Sequence, residues 1–294
     1  MMLDRSMSWC VLIPCFNEEK AISEVVWSAI ELGKRVIVVD DGSQDRTCEM
    51  VSRLPVTLLR HGIRRGKGEA LRTGFREALR LGLDGVVTMD GDGQHLAADV
   101  PHLVSTSQLF PDSIVIGARI LDRDRQPASR RRANAVADWW ISWACAKPIV
   151  DTQSGQRFYP RAALELADAD VEGFAFETAI LIRACREAGL GIVSIPIASR
   201  YQNDFRHSHF RPVADTARIT AHVAASMFHY GQPIASYLRA RRSPTVIGNQ
   251  LNGTYDDRRS FTCWVFPGGI DPGRSGYGQL LPARPKGILI HQLM

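Results

Sequence analysis

The stretch Val86-Val87-Thr88-Met89-Asp90-Gly91-Asp92-Gly93-Gln94-His95 runs four uncharged, largely apolar residues straight into two carboxylates spaced two apart. A short apolar run closed by Asp-Gly punctuation reads as a buried strand leaving its sheet. Magnesium or manganese takes one or two protein carboxylates and completes its shell with water and substrate phosphate, so a partial protein site is the form to look for. Asp90 and Asp92 have the chemistry for it. An isolated Asp-Gly-Asp can equally be a turn with solvated acids; its place at a strand end favours the metal.

Upstream of this stretch, short apolar runs alternate with amphipathic ones: Cys10–Pro14, a helical pattern over Glu18–Leu32, Val36–Val39, a short helix after Asp45, and Val56–Leu59. That order predicts βαβαβ with parallel strands. A helix over Glu69–Leu81 leads into the quoted strand, and a helix near Asp99–Gln108 and a strand at Ile114–Gly117 follow it. Ligands of such sheets gather at the carboxyl ends of the strands. Val36–Val39 also ends in acids, Asp40-Asp41-Gly42-Ser43, where a carboxylate could accept hydrogen bonds from a base or ribose. Two strands ending in paired acids on one sheet edge is hard to ascribe to coincidence.

Other phosphate motifs fail. Gly66-Lys67-Gly68-Glu69 lacks the Ser/Thr that follows a P-loop lysine, His61 stands where the first P-loop glycine would be, and no G-x-G-x-x-G follows a strand. The six cysteines form no C-x-x-C pair, so neither a zinc site nor a disulfide framework is indicated and a reducing cytoplasm is expected. Met1–Trp9 has no apolar stretch long enough for a signal peptide, and no segment reaches the roughly 18 apolar residues of a spanning helix. The formal charge of +5 suits phosphate-rich partners without choosing among nucleotides, nucleic acid and anionic lipid.

Beyond Arg119 the chain becomes arginine-rich, then helical around Trp139, Trp140 and Trp143. Strands are expected at Gly155–Tyr159 and Gly191–Ile197, flanking a helix over Glu177–Ala188, with an amphipathic helix over Pro212–Tyr230. From Ser243 the pattern dissolves into Gly, Pro and Arg, so Ser243–Met294 is expected to be a mostly unstructured tail behind one domain over residues 1–242.

With these motifs in hand, the chain resembles the family 2 glycosyltransferases, and within them the dolichyl-phosphate mannosyltransferase-like group. The residues that carry the resemblance are Pro14-Cys15-Phe16-Asn17-Glu18, Val39-Asp40-Asp41-Gly42-Ser43, Gly66-Lys67-Gly68, Asp90-Gly91-Asp92-Gly93-Gln94-His95, Gly117-Ala118-Arg119 and Asp151-Thr152-Gln153-Ser154-Gly155-Gln156-Arg157, in the family's order over roughly residues 8–210. The resemblance implies an α/β GT-A nucleotide-diphospho-sugar transferase fold, a mixed, mostly parallel sheet flanked by helices, with an acceptor side over about residues 119–242. It implies that Pro14, Phe16, Glu18, Val39 and Asp41 hold the nucleoside, that Asp90, Asp92 and Gln94 serve a Mg²⁺ or Mn²⁺ ion and the diphosphate with Lys67 and Gly91 alongside, and that Arg119, Arg131 and Arg200 face the donor or acceptor phosphates. Where the family commonly has a Ser-Lys pair this chain has Arg206-His207-Ser208-His209, which makes Arg206 and His209 the substitutes to consider.

The implied reaction is inverting transfer of a hexose from a nucleoside-diphosphate sugar to a lipid. A metal and arginines stabilise the departing diphosphate. A lipid phosphate acceptor, polyprenyl phosphate, is already ionised near neutral pH and needs no strong base, whereas a hydroxyl acceptor would call on Asp151 or His209. Asp151 could instead cap the turn before Ser154-Gly155. The dense basic run Arg119, Arg123, Arg125, Arg130, Arg131 and Arg132 and the nearby tryptophans suit peripheral docking on the inner face of an anionic membrane; the alternatives are a solvated face and core packing. A nucleic-acid-binding protein would fit the charge, but no helix-turn-helix, RNA-binding aromatic signature or zinc knuckle accompanies it.

Overall fold

A computed structural model describes residues 7–121, 128–167, 175–198, 212–231, 233–242 and 244–247, with backbone alone at 128–130, 175 and 212–219. Arg123, Arg125, Arg200, Arg206, His207 and His209, and the stretch from 248 to 294, lie outside the described residues.

The strands β1 (Trp9–Cys15), β2 (Arg35–Asp40), β3 (Thr57–Arg60), β4 (Gly85–Thr88), β5 (Ser113–Ala118), β6 (Arg157–Pro160) and β7 (Gly191–Pro196) form one sheet in the order β3-β2-β1-β4-β6-β5-β7. All neighbours are parallel except β6, which runs antiparallel between β4 and β5. The mixed, mostly parallel sheet is therefore present as anticipated. The reversal of β6 matters for function, because it delivers the loop that precedes β6 to the edge where the other strands end.

Burial on both faces explains why these strands read as continuous apolar runs. Successive residues of β1 alternate between two cores: Cys10 and Leu12 join one, Val11 and Ile13 the other. On the first face lie α3 (Lys67–Arg80), α5 (Ala128–Cys145), α6 (Arg161–Leu164), α7 (Ala175–Arg186) and α8 (Pro212–His229), contributing Leu71, Phe75, Ile141, Leu164, Phe176 and Val223. On the second lie α1 (Ile22–Ile30), α2 (Thr47–Ser52) and α4 (Val100–Leu109), contributing Ile22, Val26, Val51 and Leu103.

Besides the short α6, which it did not anticipate, two features depart from the sequence reading. A ninth helix, α9 (Pro233–Ala240), packs on α5, where Trp143 Nε1 donates to Pro233 O at 2.7 Å. Its start was signalled: Gly231, at φ 63°, ends α8 in the left-handed conformation, and Pro233 occupies the first helical turn. The second departure is the tail boundary. Val246 bridges Ser194 of β7 and Ile247 is 6% exposed within the second core, so packing continues past Ser243 at least to Ile247. Four residues are too few to show a period, which is why the pattern seemed to end earlier.

Candidate functional site

All strands but β6 end on one edge, and the chain turns there with its polar residues. After β1, Asn17 takes φ 55°, its N–H donates to Ser43 Oγ at 2.8 Å, and its Oδ1 accepts from Gln44 N at 2.7 Å. Asp41 N donates to Cys15 O at 2.9 Å. The turns after β1 and β2 are thus knitted together; of the residues expected around the nucleoside, Phe16 and Glu18 are partly exposed, Pro14 and Asp41 are buried, and Val39, 0% exposed, belongs to the first core and supports the turn from beneath.

Asp41 is 3% exposed and is largely engaged by the chain itself. Its Oδ1 lies 2.8 Å from His61 Nδ1 and accepts from Arg65 N at 2.9 Å; its Oδ2 accepts from Gly66 N at 2.7 Å. With His61 Nε2 3.0 Å from Thr73 Oγ1, the consistent tautomer has Nδ1–H donating to Asp41 and Nε2 accepting from the threonine. A carboxylate offers about four lone-pair positions, so roughly one remains for a ligand. Asp41 first of all shapes the 61–66 loop, and Gly42 permits this: at φ 76°, any Cβ there would stand 2.9 Å from Ile63 C and Arg64 N. The loop in turn lays the Arg64 guanidinium 4.3 Å above the Phe16 ring.

Asp90 and Asp92 follow β4. Lys67, the first residue of α3, points its Nζ at Asp90 Oδ1 (2.7 Å) and at Glu177 Oε2 of α7 (3.1 Å). Behind Asp90 stands Gly155, where a side chain would run into the carboxylate. Burial alone would push the Asp90 carboxyl up, but Lys67, then His95 and Arg119, outweigh it and hold it at about 2. Asp92 goes the other way: burial and then the charge of Asp90 raise it. Its Oδ1 accepts from Gln94 N at 3.0 Å. Asp90, Asp92 and Glu177 set three carboxylates against the single ammonium of Lys67, leaving two negative charges, the charge of one divalent cation. Among the described residues no three His, Cys, Asp or Glu side chains form a ready metal cage, so a divalent ion held by Asp90 and Asp92 would need water or a substrate phosphate to complete its shell.

Arg119 leaves β5 beside this cluster. Asp151, in the loop before β6 and at φ 52°, grips it with both oxygens: Nε to Oδ2 and Nη2 to Oδ1, each 2.8 Å, with Arg119 N also donating to Oδ2 at 2.8 Å. Burial would raise the Asp151 carboxyl, but Arg119 and these hydrogen bonds, with Arg157 behind them, bring it below its usual range. The capping expectation is met only in part, since Asp151 O accepts from Ser154 N at 3.0 Å while the carboxylate serves Arg119. Arg157, 1% exposed, braces the loop from β6 by donating to Ser154 O (2.7 Å) and Thr152 O (2.6 Å).

The sequence reading missed Asp138. This buried residue of α5 accepts from Thr152 N (2.7 Å), Thr152 Oγ1 (2.6 Å) and Asp151 N (3.1 Å), so it holds the turn that holds Arg119. Its signal was being the one acid in an otherwise basic and aromatic helix. Glu177 had no such signal and is brought in by tertiary packing alone. Arg131 lies on α5 two turns before Asp138, about 10 Å along the axis.

Burial, then Asp151, raise the Asp138 carboxyl to about 6. A carboxyl raised in the fold stabilises it fully below the unfolded pKa, near 4, and that contribution is lost as pH rises through about 6. Asp138→Asn cannot ionise and lacks this loss. The melting temperature of the variant minus that of the wild type should therefore rise between pH 4 and 7, by the equivalent of at most about 3 kcal/mol; a flat difference would show that burial of Asp138 is fully compensated.

Trp139, Trp140 and Trp143 are half-buried and pack on one another and on α9, with Trp140 and Trp143 stacked at 5.6 Å and Tyr237 5.3 Å from Trp143. Exposed apolar side chains flank them: Val136 of α5, Phe228 of α8, and Ile234 and Leu238 of α9.

Comparison with known proteins agrees with this geometry. Residues 10–167 match the family model described as Glycosyl transferase family 2. A UDP-N-acetylglucosamine–dolichyl-phosphate N-acetylglucosaminyltransferase of Methanococcus voltae is 27% identical over 215 residues, covering 65% of this chain and 85% of its own. A polyprenol monophosphomannose synthase of Mycolicibacterium smegmatis is 28% identical over 201 residues, covering 64% of this chain and 75% of its own. Among solved structures, glucosyl-3-phosphoglycerate synthase of Mycobacterium tuberculosis, in complex with Mn²⁺, UDP and product, superposes with a TM-score of 0.56 at 21% identity, over 76% of this chain and 80% of that one, a likeness of fold.

Proposed function

Because the chain belongs to the family 2 glycosyl transferases, we propose that it carries a hexose from a nucleoside-diphosphate sugar to a lipid acceptor, polyprenyl phosphate, with inversion at the sugar carbon and with Mg²⁺ or Mn²⁺ at Asp90 and Asp92. The observation that carries this reading is the meeting of Asp90, Asp92, Lys67 and Arg119 at the carboxyl edge of the sheet. The printed names of the relatives, which speak of transfer to dolichyl phosphate and of polyprenol phosphomannose, support the acceptor.

In this reading the nucleoside rests against Phe16 and Glu18 beside Pro14 and meets the remaining acceptor position of Asp41, with Val39 supporting that turn from the core. The diphosphate lies along the Asp90–Gly91–Asp92 turn, with Gln94 beside it and Lys67 and Arg119 on either hand. Bound at Asp90 and Asp92, the metal supplies positive charge to the diphosphate as the bond to the sugar breaks. Arg119 is preorganised for the same anionic region, since Asp151 fixes its planar fork. Arg131 is the further arginine assigned to the donor or acceptor phosphates, while Arg200, Arg206 and His209 lie outside the described residues.

The acceptor phosphate oxygen attacks the sugar carbon as an anion, so no base has to remove a proton. Transfer to a hydroxyl would need one, and Asp151 is badly suited: both its oxygens are committed to Arg119, and a carboxyl held low is a weak base. A panel of UDP- and GDP-hexoses tests the donor side. Slow hydrolysis of one of them should appear with Mn²⁺, vanish with a chelator and return on re-addition; equal hydrolysis with and without metal would sink the metal assignment.

Among the described residues no helix is long and apolar enough to cross a membrane, so we place the contact with the lipid at the surface. Ile234 and Leu238, 75% and 60% exposed on α9 beside the tryptophans, have the character of side chains that enter an interface. Ile234→Asp with Leu238→Asp should weaken binding to phosphatidylglycerol vesicles in co-sedimentation by about thirtyfold or more, each buried apolar side chain being worth roughly 1 kcal/mol or more. Melting should stay unchanged, and undiminished sedimentation would move the contact elsewhere.

A further inference from the structure

The ion pair of Lys67 with Asp90 occupies an oxygen that the metal needs. We propose that Lys67 is the internal counter-cation of the divalent site: it holds Asp90 in the donor-free protein, yields it to the metal, and is retained by Glu177 beside the site, where it meets the donor diphosphate. This rests on the metal reading above and adds to it a positioning residue and a competitor.

Three observations support it. Lys67 Nζ stands 2.7 Å from Asp90 Oδ1, and the carboxylate fills the space that a Cβ at residue 155 would take, so Oδ1 opens to an ion only once Lys67 moves. Asp92, by contrast, has no cationic side chain within ion-pair distance among the described residues and is open to an ion without any such displacement. Finally, Glu177 has no evident reason to stand in a site for an anionic donor. A half-buried carboxylate there repels a diphosphate unless it is paired, and its partner is Lys67 at 3.1 Å.

The charges close once the metal is bound; without it the site keeps two negative charges. Without metal, Lys67 bridges Asp90 and Glu177. With metal, the ion is balanced by Asp90 and Asp92, and Lys67 stays neutralised by Glu177 within reach of the incoming phosphates. No proton is gained or lost in this exchange, and the long lysine stem needs only to swing from one carboxylate toward the other. Arg119 takes no part, being neutralised by Asp151.

The test is Mn²⁺ binding to the full chain without nucleotide, followed by electron paramagnetic resonance of free Mn²⁺. Lys67→Met should bind Mn²⁺ about tenfold more tightly than wild type, because a competing charge at contact distance is gone. Lys67→Arg should stay near wild type. Glu177→Gln should bind several-fold more weakly, because Lys67 is then left to Asp90 alone. In the presence of inorganic pyrophosphate the order should reverse, with Lys67→Met the weaker binder. Unchanged or weakened Mn²⁺ binding in a folded Lys67→Met overturns the proposal, and should that variant fail to fold, tighter binding by Glu177→Gln overturns it instead. Asp90→Asn and Asp92→Asn separate the two levels. If they abolish Mn²⁺ binding while Lys67→Met changes nothing, only the role of Lys67 falls; if they bind like wild type, the metal reading falls and this inference with it.

Discussion

Asp92→Asn should lower sugar transfer by two to three orders of magnitude, on the order of what losing one preorganised electrostatic group costs an active site, while leaving the protein at least as stable as before. The two halves have separate causes. Activity falls because an amide is a neutral and weaker ligand, and Asp92 is the acid of the pair with no lysine at ion-pair distance among the described residues. Stability holds because the hydrogen bond that its carboxylate accepts from Gln94 N can be accepted equally by an asparagine oxygen. Burial and Asp90 both disfavour the charge at Asp92, so neutralising it relieves a repulsion and the melting temperature near pH 7 should be equal or slightly raised. Turnover within a few-fold of wild type at saturating Mn²⁺ would remove Asp92 from the metal site.

The second large effect is expected at Arg119. Arg119→Ala should impair transfer to polyprenyl phosphate by roughly ten- to a hundredfold, the equivalent of a charge-assisted hydrogen bond of about 1.5–3 kcal/mol. Slow hydrolysis of the donor by water, which does not use a bond to the acceptor, should suffer less. Equal loss of both reactions would put Arg119 on the donor diphosphate instead. The geometry adds a cost that is independent of catalysis: the truncation strands Asp151, whose carboxylate is nine-tenths buried, without its partner. Breaking such a pair costs about 3 kcal/mol, mostly as the penalty on the charge left behind. Arg119→Ala combined with Asp151→Asn should recover much of that stability and none of the transfer. Lysine at 119 should rescue only in part, since a point charge cannot fill the two-pronged contact with Asp151.

The strands of the sheet and the acidic turns were legible because each is local: β4 is a run of apolar residues closed by Asp-Gly, and a parallel strand buried on both faces has no other way to look. The reversal of β6 was not legible in any one stretch, since the direction of a four-residue strand depends on its neighbours. The consequences for the site follow that divide. Lys67, Asp90, Asp92 and Arg119 stand in short motifs and could be found; Glu177 and Asp138 act across 110 and 13 or more residues of chain and leave no local pattern. Asp151 was found in its motif but with an ambiguous role, because sequence does not say whether a carboxylate's oxygens are open or already taken. Helix α9 was overlooked although Gly231 and Pro233 mark its start, and Ile247 was overlooked because four residues against β7 carry no period.

The central claim is transfer to a lipid phosphate by a metal-dependent site, and one measurement bears on it most directly. The full chain would be incubated with Mn²⁺ and radiolabelled UDP- or GDP-hexoses, in parallel with undecaprenyl phosphate and with undecaprenol, and the lipid products separated by chromatography. The account predicts labelled lipid from the phosphate alone, from at least one donor, and none once the metal is chelated. Label appearing on undecaprenol as readily as on its phosphate, or transfer persisting without metal, would contradict it.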